Sequence, residues 1–97
     1  MASLPLVALH GQALQQLQHG DYGGAAVLLR RLLLHLPVNH EARADVLVVL
    51  AFAELEARSV EEALSVARHA LTLAPRNEHA RRAFARAQLA ALLRGAR

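Results

Sequence analysis

Ninety-seven residues set the scale of one small domain, taken here as a single unit over 1–97. At 55% hydrophobic and 20% charged, the chain has the apolar material for a packed core and is too apolar to stay disordered. The absence of Cys excludes a disulfide framework and a thiolate metal site, and a net charge of +3 is modest.

The apolar content is mostly Ala and Leu, with no Ile and no Trp, so helix formers abound and strand formers are scarce. An all-α domain follows. All eleven basic residues are Arg, a bias that reads as the mark of a GC-rich genome. Charge is unevenly placed. Residues 41–62 carry Glu41, Asp45, Glu54, Glu56, Glu61 and Glu62 against Arg43 and Arg58, a net −4. Residues 76–97 carry Arg76, Arg81, Arg82, Arg86, Arg94 and Arg97 against Glu78, a net +5.

The opening "MASLPLVALHGQ" has no basic leading region, and Pro5, His10 and Gly11 interrupt its apolar stretch, so it does not read as a signal peptide. No apolar run approaches the roughly 20 residues of a membrane-spanning helix. The expectation is a soluble, cytoplasmic protein. Apolar periodicity and punctuation predict five helices at about 4–18, 22–36, 40–57, 60–74 and 78–94. Asp21 and Ser59 are good N-caps for the second and fourth, and Ser59 with Glu62 spells a capping box. Pro37 and Pro75 terminate those helices, Asn39 and Asn77 are placed to cap the third and fifth, and Gly95 suits a C-terminal stop.

Sliding the chain over itself by 38 residues brings Asp21 onto Ser59, Ala25 onto Ala63, Leu33 onto Leu71 and Pro37 onto Pro75. The unit is helix, tight turn, helix, proline: repeat one at about 4–37, repeat two at about 40–75, then a last helix at about 78–94. Small residues at Ala25, Ala51, Ala63 and Ala70 leave room for close backbones, and Leu50 and Leu71 are expected between paired helices. Phe84 is expected in the core.

These residues carry a resemblance. "GDYGGAAVLLRRLLLHLP" resembles the second helix of a tetratricopeptide repeat, with Gly20, Asp21, Tyr22, Ala25 and Pro37 in the family's places. "ADVLVVLAFAELEARSVEEALSVARHALTLAP" looks like a whole repeat, with Leu47, Leu50 and Ala51 on its first helix and Ala63, Ala70 and Pro75 on its second. The family repeats at about 34 residues. The spacing of 38 here adds about one helical turn, which predicts a third helix starting early, at His40 or Glu41. Gln12 and Gln16 stand where the family's first helix has large residues. The resemblance implies a right-handed α-solenoid of two helix-turn-helix repeats with a capping helix over the open side. Its size, and the stretch "LQHGDYGGAAVLLRRLLLHLP", are also similar to the small bacterial type III secretion chaperones that hold an export-apparatus substrate in the cytoplasm.

In such a solenoid the first helix of each repeat lines a concave face. Helical spacing then turns Val7, His10, Leu14, Leu17 and Gln18 of the first helix inward. Asp45, Val48, Phe52, Leu55 and Glu56 of the third follow, with His79, Arg82, Arg86 and Leu89 of the fifth. The expected partner-binding groove is an apolar trough of Leu14, Leu17, Val48, Phe52 and Leu55 with Arg82 and Arg86 at one end. It would take a peptide or helix of a protein partner, a secretion substrate or a co-chaperone. A basic module holding nucleic acid or another polyanion through the last helix is the alternative, disfavoured by the lack of an aromatic platform there. A third reading is an oligomerisation unit of a homo- or hetero-assembly. The six His show no i, i+4 pair on one helix and no carboxylate at ligand spacing, so no metal is expected. Gly23-Gly24 lacks the Lys and Ser/Thr of a phosphate loop and reads as relaxing a helix start. Ser3, Ser59, Ser65 and Thr72 are the only aliphatic hydroxyls. No catalytic residue and no cofactor are expected, and an enzyme is not the reading.

Overall fold

A computed structural model describes the backbone of residues 3–95 and the side chains of residues 6–95. Arg97 of the basic cluster lies outside them. The described chain is all-helical, with five helices and no strand: α1 (Ser3–Gln18), α2 (Tyr22–His35), α3 (Arg43–Glu56), α4 (Val60–Leu73) and α5 (Glu78–Gly95). Each helix packs extensively on the next, and α3 also packs on α5, in an elongated body of 50 × 30 × 18 Å. Among the described residues α1 has no comparably extensive contact with α3. Pro5 falls in the first turn of α1, where its missing N–H has no intrahelical partner to lose.

The two helix-helix turns are the same object 38 residues apart. Gly20 N–H donates to Leu17 C=O at 3.1 Å and Asp21 N–H to Gln16 C=O at 2.8 Å. At the second turn Arg58 N–H donates to Leu55 C=O at 3.0 Å and Ser59 N–H to Glu54 C=O at 2.8 Å. This paired bonding satisfies the last carbonyls of a helix and needs a left-handed residue at the pivot. Gly20 supplies it at φ +79°, but the second turn forces Arg58 to φ 67°. The helices that follow are capped differently. Asp21 accepts from Gly24 N–H at 2.9 Å, and its carboxylate sits where a Cβ at Gly24 would be. Gly24 leaves room for this capping carboxylate, which would have to shift if a Cβ were added there. Ser59 occupies the N-cap of α4, yet its side chain makes no capping bond, so the capping box expected with Glu62 does not form.

The early start expected for the third helix is not seen. α3 begins at Arg43 rather than at His40 or Glu41, and residues 36–42 form the α2–α3 connection. Two successive turns build it: His40 N–H donates to Pro37 C=O at 3.0 Å, and Arg43 N–H to His40 C=O at 3.0 Å. The His40 imidazole accepts from Ala42 N–H at 3.1 Å, giving the turn a partner that an extra helical turn would have supplied from backbone. Asn39 is consequently a turn residue, and the N-cap of α3 is Ala42, without a side-chain bond. Asn77 does cap α5, accepting from Ala80 N–H at 3.1 Å. Arg43 fastens the long connection by donating to the Leu33 and Leu36 carbonyls at 3.0 and 3.1 Å, covering the end of α2.

The interior is built on alanine. Ala13, Ala25, Ala51, Ala53, Ala63, Ala67, Ala70, Ala80 and Ala87 are fully buried, with Leu29, Leu32, Leu47 and Leu50 among them. Leu71 is only partly buried, at the edge of the cluster formed by Leu47, Ala70 and Ala80, in place of the central position expected for it. Phe84 is likewise partly buried, against Ala51, Ala67 and Ala87, with the Arg68 guanidinium 5.8 Å from its ring centroid. Among the described residues one charge enters this interior: Glu54 of α3 is 4% exposed and pairs with Arg30 of α2.

Three outcomes follow from these contacts. Leu50→Ala should cost about 2–5 kcal/mol in urea unfolding, whereas Leu71→Ala should fall below that range because the site opens to water. Arg58→Gly should stabilise by about 0.5–1 kcal/mol by removing left-handed strain, while Gly20→Ala destabilises by roughly 1–2 kcal/mol; equal melting temperatures would contradict the shared turn geometry. Arg30→Ala leaves a buried carboxylate without its cation, at about 1–3 kcal/mol. The double variant Arg30→Ala with Glu54→Met should recover most of that loss, and an additive result would rule out the coupling.

Candidate functional site

α3 and α5 lie side by side, and the spacing of Val48, Phe52 and Leu55 places all three on the side of α3 that meets α5. Across from them stand His79, Arg82, Ala83 and Arg86, and between the two rows is a cleft of about 260 Å³. Phe52 is 38% exposed for so large a side chain. Its ring meets Tyr22 of α2 edge-on, at 6.0 Å between centroids and 85° between planes. The Arg86 guanidinium stands 5.9 Å from the same centroid, within cation–π range. Arg82 pairs with Glu78 one turn away at 2.5 Å, but both side chains are about two-thirds exposed, where such pairs contribute little. Beyond Leu55 the surface continues as a more open hollow between Glu56, Arg58 and Val60 on one side and Ala90, Leu93 and Arg94 on the other.

The expected trough is thus divided. Val48, Phe52, Leu55, Arg82 and Arg86 share the α3–α5 cleft. Leu14 lines a different one, of about 490 Å³, where Leu6, Val7 and His10 of α1 face Val46 and Val49 of α3 above Leu29 and Leu32 of α2. Leu17 packs against the core cluster of Ala13, Leu29 and Leu50 instead of lining either cleft. The reason lies in α3. Adjacent residues on a helix diverge by about 100°, so Val46 and Val49 form an apolar side distinct from that of Val48, Phe52 and Leu55. With no extensive α1–α3 contact, the first of these sides borders an open cleft.

That α1–α3 cleft is the feature sequence reasoning passed over. The available signal was the uninterrupted apolar run from Val46 to Ala53, which leaves the middle of α3 without a polar side. The α5 counterpart is also more apolar than a solvated capping helix. Leu89, Leu92 and Leu93 are 57%, 70% and 66% exposed.

Among the described residues no group of three or more His, Asp or Glu is arranged to hold a metal ion, and no helix is long and apolar enough to cross a membrane. Comparison with family models, curated proteins and solved structures returns no match. The cleft and its chemistry therefore carry the functional argument by themselves.

Proposed function

We propose that the chain is a non-enzymatic protein-binding module of the tetratricopeptide class, holding a peptide or helix of one partner protein in the α3–α5 cleft. The observation that supports this most is Phe52: a large aromatic side chain, over a third exposed, in one wall of a concave surface with an Arg over its ring. Aromatic and Arg side chains together are the residue types that most often anchor a protein interface. The proposal extends to a role as a small cytoplasmic chaperone of a type III secretion system, with an export substrate or co-chaperone as partner. That extension rests on the resemblance of "LQHGDYGGAAVLLRRLLLHLP" and on the size of the chain.

Two observations favour other readings. Arg76, Arg81, Arg82, Arg86 and Arg94 are all exposed, as a polyanion-binding helix requires. Leu89, Leu92 and Leu93 offer α5 an apolar strip of the kind that joins subunits. Neither accounts for the concave aromatic.

The partner recovered by co-purification from the native host should bind Phe52→Ala at least about 1–2 kcal/mol more weakly than wild type by isothermal titration. Circular dichroism should show the variant folded, and Glu62→Gln on the exposed side of α4 should bind normally. If Phe52→Ala unfolds the protein and binding by its folded fraction is normal, the ring is structural and the cleft is not the site. A polythymidine oligonucleotide should show no measurable binding at physiological salt. A micromolar affinity with a log–log salt slope near −0.9 per phosphate, weakened by Arg82→Ala and Arg86→Ala, would promote the polyanion reading.

A further inference from the structure

We infer that the occupant of the α3–α5 cleft is an acidic segment with a single apolar anchor; this rests on the protein-binding reading and specifies its partner. The two walls of the cleft differ in kind. Val48, Phe52 and Leu55 make one wall wholly apolar, while the α5 wall presents Arg82, Arg86 and the His79 imidazole, and no carboxylate lines the space between them. The apolar wall is short. From Val48 to Leu55 is about 10 Å of helix axis at about 1.5 Å per residue, room for one large side chain and not for the stripe of a long helix.

The cations are available to a ligand. Arg86 stacks over Phe52 and makes no hydrogen bond or ion pair to a described residue, so its N–H fork keeps its donors. Arg82 is held only by an exposed pair with Glu78, which a ligand carboxylate can replace at little cost. The two Arg are one helical turn apart, about 5–6 Å between Cβ atoms. Carboxylates two residues apart on an extended segment, or one turn apart on a helix, have matching separations. The surplus of Arg over the last 22 residues, a net +5, would steer such a segment toward this wall. A phosphate chain fits less well, because stacked bases need an open aromatic face and the face of Phe52 carries Arg86.

The test is selection of a random peptide display library on the full chain, with counter-selection on Phe52→Ala. The Phe52-dependent peptides should carry net negative charge and one large apolar residue. Their affinity should fall at least about tenfold for Arg82→Glu with Arg86→Glu, and measurably for the milder Arg82→Gln with Arg86→Gln. Replacing the peptide's acids by Lys should restore binding to the Glu variant, a rescue that a merely structural role of the two Arg could not give. Phe52-dependent peptides that are neutral or basic, or indifferent to the Arg changes, would overturn the acidic-segment inference and leave the binding cleft standing. Failure to recover any Phe52-dependent peptide would count against the protein-binding reading itself. Displacement of the peptides by polythymidine at physiological salt would assign the two Arg to nucleic acid instead.

Discussion

Close approach of backbones through alanine is the constraint on which the rest of this structure depends. Among the described residues fifteen apolar ones are buried, and of these eleven are Ala and four are Leu. A helix that presents only a methyl group at its crossing point lets its neighbour come near, and tight packing of backbone atoms takes the place of large interdigitating side chains. The consequence is that most Leu, Val and Phe side chains lie beside the crossings and not in them. Leu33, Leu36, Leu55, Leu64, Val66 and Phe84 all flank the alanine clusters, partly buried. A fold made this way carries its larger apolar groups near the surface, in the spaces between helices, and apolar clefts arise from the architecture without any further device.

Within that frame α3 is the pivot. The Arg30–Glu54 pair joins it to α2, Arg43 ties its first turn to the end of α2, and its other flank supports α5. A buried carboxylate is weak evidence of net stabilisation, since desolvation opposes the attraction. Its stronger effect is on register: one Glu oxygen bonds Arg30 and the other has no partner, so sliding α3 along α2 would leave a buried charge wholly unpaired. The long α2–α3 connection would otherwise leave the relative placement of the two helices loosely determined. Fixing it also fixes which side of α3 faces α5.

How much of this was legible in the sequence depends on the range of the interactions. The five helices, the starts of α2 and α4, and the small residues at Ala25, Ala51, Ala63 and Ala70 follow from local signals: caps, prolines and 3.6-residue periodicity. The start of α3 did not. His40 satisfies Ala42 N–H through its side chain, and Arg43 reaches back ten residues, so neither bond belongs to a helix-start pattern. The Ser59 box had the right letters, but a serine at an N-cap position does not oblige its hydroxyl to turn inward. Leu14 and Phe52 fall in one trough only as far as the spacing within each helix goes. Spacing fixes the face a residue occupies, but not which neighbour that face meets. With α3 apolar nearly all round, both of its flanks qualified equally.

The chemistry of the α3–α5 cleft then emerges from how the two charged regions, among the described residues, form no ion pair with each other. A chain with an acidic middle and a basic end could have neutralised itself by folding one onto the other. Here Glu54 turns inward to Arg30, and Glu61 and Glu62 stand exposed in the first turn of α4. Arg82 and Arg86 consequently confront the apolar row of α3, and the ion pair made here among the described residues is that of Arg82 with Glu78 of its own helix. Both Arg side chains are exposed, so their attraction for an incoming charge acts more on steering and selectivity than on raw affinity. The charge separation seen along the sequence is thus carried into the folded molecule, and it sets Arg82 and Arg86 of α5 beside the exposed aromatic ring of Phe52.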